Sequence, residues 1–347
     1  MKRLLVCLAL CLIAVITSNA QQEELFSPFQ FTFTYPVGTN GANAKEYTNG
    51  ASLNLLVGVS KNEESFAIAS ISNVISQNAK GFQLAGISNH IGNYGKGIAI
   101  AGGVNTVGGS FKGIQVGGLA NIVKVDFKGL QLSGAVNTAK NVKGLQFAGL
   151  SNIANNVYGL QFSGLINIAK DVKGVQFAGL INIADQCEYP IGLINIIKKG
   201  EKGIAISYDL LSNAVISFRS GGKYTYGILG LGLNTKTNQD NNFVAEGGYG
   251  VHIPITNYFR IDNEIKATSI SNNSDESSAA NFSYLLAPSF TLAKHYNIFA
   301  GVSLNYFYSS STDFDNILPS DNLWNKIDNG NSQSLYIGYQ IGLQYIF

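Results

Sequence analysis

Apolar and polar positions alternate with period two along most of this chain, the signature of half-buried β-strands. At the C-terminus the odd positions Ile337, Tyr339, Ile341, Leu343, Tyr345 and Phe347 are apolar or aromatic, with Gly338, Gln340, Gly342 and Gln344 between them. A strand with one lipid face and one lumen face is predicted. The pattern recurs over 296–308, where Ile298, Ala300, Val302, Leu304 and Tyr306 oppose Asn297, Gly301, Ser303 and Asn305, and again over 282–292. Over 259–267, Phe259, Ile261 and Ile265 share a face, while Arg260, Asp262, Glu264 and Lys266 hold the other. Four charges can hardly face hydrocarbon, so these are the candidate lumen residues. Their alternating signs favour mutual pairing that fills the lumen, and a solute path is the sharper alternative.

Short connections near 256–257 and 294–295 alternate with longer polar stretches near 235–242, 271–280 and 310–333. Barrels of the outer-membrane type keep short turns on one side and long loops on the other. From residue 203 onward this gives about 8 strands, or 10 if two alternating N-terminal segments join the wall. Those segments carry Phe29, Phe31, Phe33 and Tyr35, then Leu53, Leu55, Val57 and Val59. They are either barrel strands or a cap on the middle of the chain. The ten-strand version would put that middle part on the periplasmic side, whereas the eight-strand version leaves the side open.

The middle of the chain is a tandem repeat. Gly81, Gly97, Gly113, Gly129, Gly144, Gly159 and Gly174 are spaced by 16 and then by 15 residues, and Ser65 extends the frame upstream. Eight positions after each start stands an asparagine: Asn73, Asn89, Asn105, Asn121, Asn137, Asn152, Asn167 and Asn182. Each unit reads Gly, apolar, Gln, apolar, small, Gly, apolar, any, Asn, as over 144–152. Leu145 and Phe147 share one parity while Leu150 and Asn152 share the other, so Gly149 is expected to bend the chain and return both apolar sets to one interior. A unit this short cannot hold two tilted membrane strands, each of which needs about 9 to 11 residues. A β-solenoid, one coil per unit stacked at about 4.8 Å, is predicted instead.

In such a stack the asparagines form a structural ladder, each amide donating to one neighbour and accepting from the other. Ligand binding is the lesser alternative. Lys80, Lys96, Lys112, Lys128, Lys143 and Lys173 precede the unit glycines, with Tyr158 interrupting the series. They form a cationic line that serves either to keep exposed turns soluble or to contact anionic lipid headgroups, polysaccharide or another envelope component. Gln83, Gln115, Gln131, Gln146, Gln161 and Gln176 carry the same choice.

Composition adds an address and several exclusions. Lys2 and Arg3, an apolar run over 4–16, and Ser18, Asn19 and Ala20 before Gln21 read as a secretory signal peptide, too short to remain as a membrane-spanning helix. Cleavage there removes Cys7 and Cys11 and leaves Cys187, so no internal disulfide is expected and Cys187 reads as a small buried residue. Charged residues make up 13% of the chain and the net charge is +2, which offers no field for nucleic acid. His90, His252 and His295 are scattered without metal-ligand spacing, so no cofactor or metal is expected. His252 and Glu246 could share a lumen face, the one acid and base pair that an outer-membrane hydrolase could use.

The expected architecture is all-β, with a signal peptide over 1–20, N-terminal strands over 21–64, a repeat block over 65–200 and an antiparallel transmembrane barrel over 201–347. Repeat units such as 143–152 followed by a barrel that ends on an aromatic residue resemble the bacterial surface-repeat-containing outer-membrane proteins. The resemblance implies export and outer-membrane lipid as the surroundings, and it carries over no active site. The function expected is that of a non-enzymatic outer-membrane or cell-surface protein, anchored by its barrel, with repeats or loops that contact an envelope or extracellular macromolecule. The loop over 312–328, with Phe314 and Trp324, is the expected outward patch. A small channel or transporter is the alternative, and a hydrolase stands third.

Overall fold

The computed structural model describes residues 24–236, 242–272, 277–310, 312–328 and 331–347; the signal-peptide segment 1–20 lies outside them. The fold is all-β, a stacked β-solenoid followed by a closed eight-stranded antiparallel barrel.

Each repeat unit makes one coil. A longer strand such as Ala79–Ala85 or Phe111–Gly117 is followed after a corner by a shorter one such as Ser88–Ile91 or Ala120–Val123. Longer strands of successive coils pair in parallel with Lys112 beside Lys128, Gly113 beside Gly129 and Gln115 beside Gln131. Shorter strands pair in the same way, with Asn105 beside Asn121. Equivalent residues of the repeat therefore stack as columns. In two of the shortened coils the strand runs through one corner without a break, Val136–Ala148 and Ser151–Ser163.

The unit glycine is required by the stacking. Gly144 has φ 136°, and a Cβ there would stand 2.0 Å from the carbonyl oxygen of Gly129 in the coil before. Only glycine accepts both conditions.

The expected apolar interior is overturned. Gln146 and Asn152 are fully buried, whereas Leu145 and Leu150 are exposed and Phe147 is half-buried. The corner at Gly149 does bring two strands around one interior, but it turns the amide parity inward. A coil of this size admits few inward side chains, and stacking lets an amide in each coil find its partner in the next. Apolar residues from alanine to phenylalanine fill the rest of the interior, among them Val107, Phe111, Phe127, Val142 and Ala154.

Both alternating N-terminal segments belong to the solenoid and not to the barrel wall. Phe26–Thr34 pairs in parallel with Thr48–Asn54, which pairs in parallel with Asn62–Ala69. They are the first coils, and the ten-strand version of the barrel falls with them.

The barrel strands are Lys202–Asp209, Asn213–Gly221, Thr225–Asn234, Asn242–Pro254, Phe259–Asn272, Ser277–Leu292, Tyr296–Ser309 and Asn331–Ile346. The first and the last pair antiparallel and close the wall, from Gly203 beside Ile346 to Asp209 beside Gln340. A short strand, Trp324–Asp328, adds only to the last. The connections at 222–224, 255–258 and 293–295 share one end with Lys202 and Phe347; those at 210–212, 235–241, 273–276 and 310–330 share the other, which thus carries the two longest, while the stretch expected to be long near 271–280 is largely strand. The solenoid enters at the short-turn end. There the Asn195 backbone N–H donates to Ser220 Oγ at 2.9 Å, and Leu193 packs on the outward face of the wall beside Gly227 and Gly247.

Candidate functional site

Arg260, Asp262, Glu264 and Lys266 alternate along the Phe259–Asn272 strand and all turn into the lumen. Their partners come from other strands. Arg219 Nη1 lies 2.7 Å from Glu264 Oε1, which also accepts a 2.7 Å hydrogen bond from the Tyr226 hydroxyl. Lys266 Nζ sits 3.0 Å from Glu246 Oε2 and 3.8 Å from Glu264 Oε2, and donates to Gln340. Arg260 pairs with Asp262 at 3.1 Å and donates to both oxygens of Glu201, the nearer at 2.9 Å. The Arg219 guanidinium lies 4.3 Å above the Phe299 ring. Asp262 and Glu264 have no solvent exposure, so these pairs occupy the interior instead of lining an open path.

Side chains pack into the barrel at both ends. At the short-turn end, Glu201 from the solenoid linker reaches in to Arg260, and Tyr226 stacks on His252 at 4.1 Å. At the long-loop end, the short helical segment Thr312–Ile317 places Phe314 and Ile317 against Val244, Ile270, Phe307 and Tyr336. Within the loop expected as the outward patch, this corrects the place of Phe314 alone. Phe314 is buried because the inward residues at that mouth are themselves apolar, and covering them removes apolar surface from water. Trp324, on the short added strand, stays exposed.

His252 bonds through Nδ1 to Asp262 Oδ1 at 2.7 Å, and not to Glu246, which belongs to Lys266. Ser289 Oγ donates to Asp262 Oδ2 at 2.6 Å. Serine, acid and imidazole therefore meet with the acid in the middle, so the hydroxyl faces the carboxylate and not the imidazole, unlike the order of a serine–histidine nucleophile pair. His90 is exposed and bonds to Thr106, and His295 bonds to the Ile346 carbonyl. Among the described residues no group of three His, Cys, Asp or Glu is placed to hold a metal ion. Arg219, Glu201 and Tyr226 were not singled out from sequence, although Arg219, on the inward parity of Val215 and Ser217, carried a legible signal.

In the solenoid, the eight asparagines form one continuous chain. Asn137 Nδ2 donates to Asn152 Oδ1, Asn152 to Asn167 and Asn167 to Asn182, each at 3.0 Å. The second hydrogen of each goes to a backbone carbonyl of the next coil, as from Asn152 to Phe162 at 2.7 Å. The chain extends past the repeat frame at both ends. Asn54, filling the place beside Gly58, donates to Asn73 at 3.3 Å, and Asn195 continues from Asn182 to the Ser220 carbonyl of the barrel. The glutamines run the other way, with Gln146 donating to Gln131 at 2.7 Å and Gln161 to Gln146 at 2.9 Å. Two opposed amide ladders thus form the polar interior.

The lysine line is outside. Lys80 pairs with Glu64 at 2.7 Å, and Lys143 and Lys173 flank the Tyr158 ring at 5.8 and 5.4 Å. Among the described residues no ion pair joins Lys96, Lys112 or Lys128, which stand in register on neighbouring coils. Cys187 is buried in the apolar interior column, and burial pushes its thiol up to about 12.

Compared with known proteins, the chain matches no family model, no curated protein and no solved structure.

Proposed function

We propose that this chain is a non-enzymatic outer-membrane protein, exported by the segment 1–20, in which a plugged barrel is the anchor and the solenoid is the body it holds at the membrane. This reading keeps the chain with the surface-repeat-containing outer-membrane proteins that it resembles. One observation carries it: the wall turns a mostly apolar belt outward, including Ile206, Leu231, Val302 and Ile341, around a lumen filled by buried ion pairs. A soluble barrel would gain nothing from such a belt, and hydrocarbon is the solvent that favours it. The filled lumen and packed ends argue for anchoring over transport, because eight strands leave room for little beyond side chains.

Heat modifiability tests the reading. The detergent-extracted mature chain should migrate anomalously on a gel until boiled and show a β spectrum by circular dichroism. Solubility without detergent and unchanged mobility would sink the membrane assignment. In planar bilayers the same protein should show no steady conductance, and stable channels would restore the transport reading.

A further inference from the structure

The solenoid interior pairs two amide ladders with an apolar column, yet a second set of apolar residues stands outside, and apart from Val125 most of it lies on one side of each coil. On the longer strands Leu145 and Phe147 face out; at the corner stand Leu150, Leu165 and Leu180; on the shorter strands come Ile122, Ile153 and Ile168, in a column that carries His90, Thr106 and Thr138 in other coils. Exposed lysines bound this wedge on both faces: Lys112, Lys128 and Lys143 two positions ahead of the first outward apolar residue of each coil, and Lys124, Lys140 and Lys170 three positions after the asparagine. Beyond them lies the amide and acid edge, where Asn141 donates to Asp126 at 2.7 Å and Asn156 to Asn141 at 2.6 Å.

We propose that this wedge is seated in one leaflet of the membrane that holds the barrel, with its corner row in the hydrocarbon and its two lysine rows on anionic phospholipid headgroups. The inference rests on the barrel's being membrane-embedded. Three features select lipid as the occupant. The first is continuity: the corner row ends at Leu193, which packs on the outward wall of the barrel beside Gly227 and Gly247, so wedge and barrel belt form one apolar surface. The second is depth. From Leu145 round the corner to Leu150 is five residues, at most about 16 Å at roughly 3.3 Å each, so the wedge is no deeper than about one leaflet's hydrocarbon, about 15 Å. The third is charge. Like-charged lysines about 4.8 Å apart on adjacent coils repel one another, and an anionic surface relieves that repulsion.

The backbone permits the insertion. At the corner, Gly149 N–H donates to Ser133 at 3.2 Å, Leu150 N–H to Ala135 at 3.1 Å and Ser151 N–H to Ala135 at 3.0 Å. The coils thus satisfy their own amides where water is absent, the condition that hydrocarbon imposes. The wedge lies at the short-turn end, so the leaflet is the one facing the short turns.

The test uses the full mature chain with Cys187→Ala and one introduced cysteine carrying an environment-sensitive fluorophore. The cysteine replaces Leu150 or Leu165 in the wedge, Leu343 in the barrel belt, or Asn93 on the polar edge. Proteins are reconstituted in phosphatidylcholine and phosphatidylglycerol vesicles with acyl-chain-brominated lipid as quencher. Probes at 150 and 165 should be quenched within about two-fold of the probe at 343, and the probe at 93 should not be quenched. If 343 is quenched while 150 and 165 behave like 93, whether open to water or covered by protein, the wedge is refuted and the barrel stands. If 343 itself is not quenched, the membrane reading fails, and this one with it. Combined Lys112→Gln, Lys128→Gln and Lys143→Gln should reduce quenching at 150 in vesicles with phosphatidylglycerol and leave it unchanged in phosphatidylcholine alone. Equal quenching in both lipids would overturn the role given to the lysines.

Discussion

Replacing Asn152 with alanine tests the amide ladders of the solenoid interior directly. Asn152 Nδ2 donates to Asn167 Oδ1 at 3.0 Å and to the Phe162 carbonyl at 2.7 Å, while its own Oδ1 accepts from Asn137 Nδ2 at 3.0 Å. The asparagine amides are buried and the bond to the Phe162 carbonyl is partly so. The substitution leaves Asn167 Oδ1 without that donor and cuts the chain of amides between Asn137 and Asn167. An orphaned buried polar group costs about 1 to 3 kcal/mol, so two or three of them imply a loss of about 3 to 6 kcal/mol. Leu145→Ala, in the same coil, removes a side chain that is 40% exposed and should cost within about 1 kcal/mol in detergent, as surface substitutions do. The assay is denaturant unfolding of the detergent-solubilised mature chain, followed by far-ultraviolet circular dichroism, with both variants against the parent. Should Leu145→Ala prove more damaging than Asn152→Ala, the apolar residues are the interior and the parity described above is wrong.

Three further outcomes are expected. Burial raises the Glu63 carboxyl from its ordinary 4.5 to about 7, against opposing hydrogen bonds from Ser52 and Asn49; the folded state thus holds the proton more tightly, and stability falls as pH rises from 4.5 to 7, by about 3 kcal/mol in all. Glu63→Gln should flatten that decline in melting temperature between pH 4.5 and 8, and an unchanged slope would assign it elsewhere. Gly144→Ala, forced to adopt φ 136° with a Cβ 2.0 Å from a carbonyl oxygen, should cost at least about 3 kcal/mol or prevent folding of the repeat block, and a stable variant would mean that the coils do not stack in this register. Arg219→Met should destabilise the barrel by about 3 to 5 kcal/mol by leaving Glu264 unpaired, and adding Glu264→Gln should recover most of the loss, both read as the boiling temperature needed for the gel-mobility shift; failure of the second substitution to rescue would show that Arg219 acts by packing on Phe299.

Much of this architecture is legible along the chain, because repetition and alternation are local properties. The spacing of Gly81 to Gly174, with asparagine eight positions on, predicts stacked coils, since only equivalent residues in register form columns. Likewise, Ile337 to Phe347 and the Arg260 to Lys266 alternation mark one outer and one inner face of a barrel strand. What period two cannot say is which of two faces is inside. In the barrel strand the four charges decide it. In the repeat unit either face could turn inward, and the burial of Gln146 and Asn152 over Leu145 and Leu150 is decided by the stack itself, which supplies each amide with a partner from another coil. The places of Glu201, Arg219 and Phe314 are hidden in the sequence for the same reason. Each finds its partners on strands distant along the chain, and only closure of the barrel brings Glu201 to Arg260, Arg219 to Glu264, and Phe314 into the apolar mouth beside Phe307.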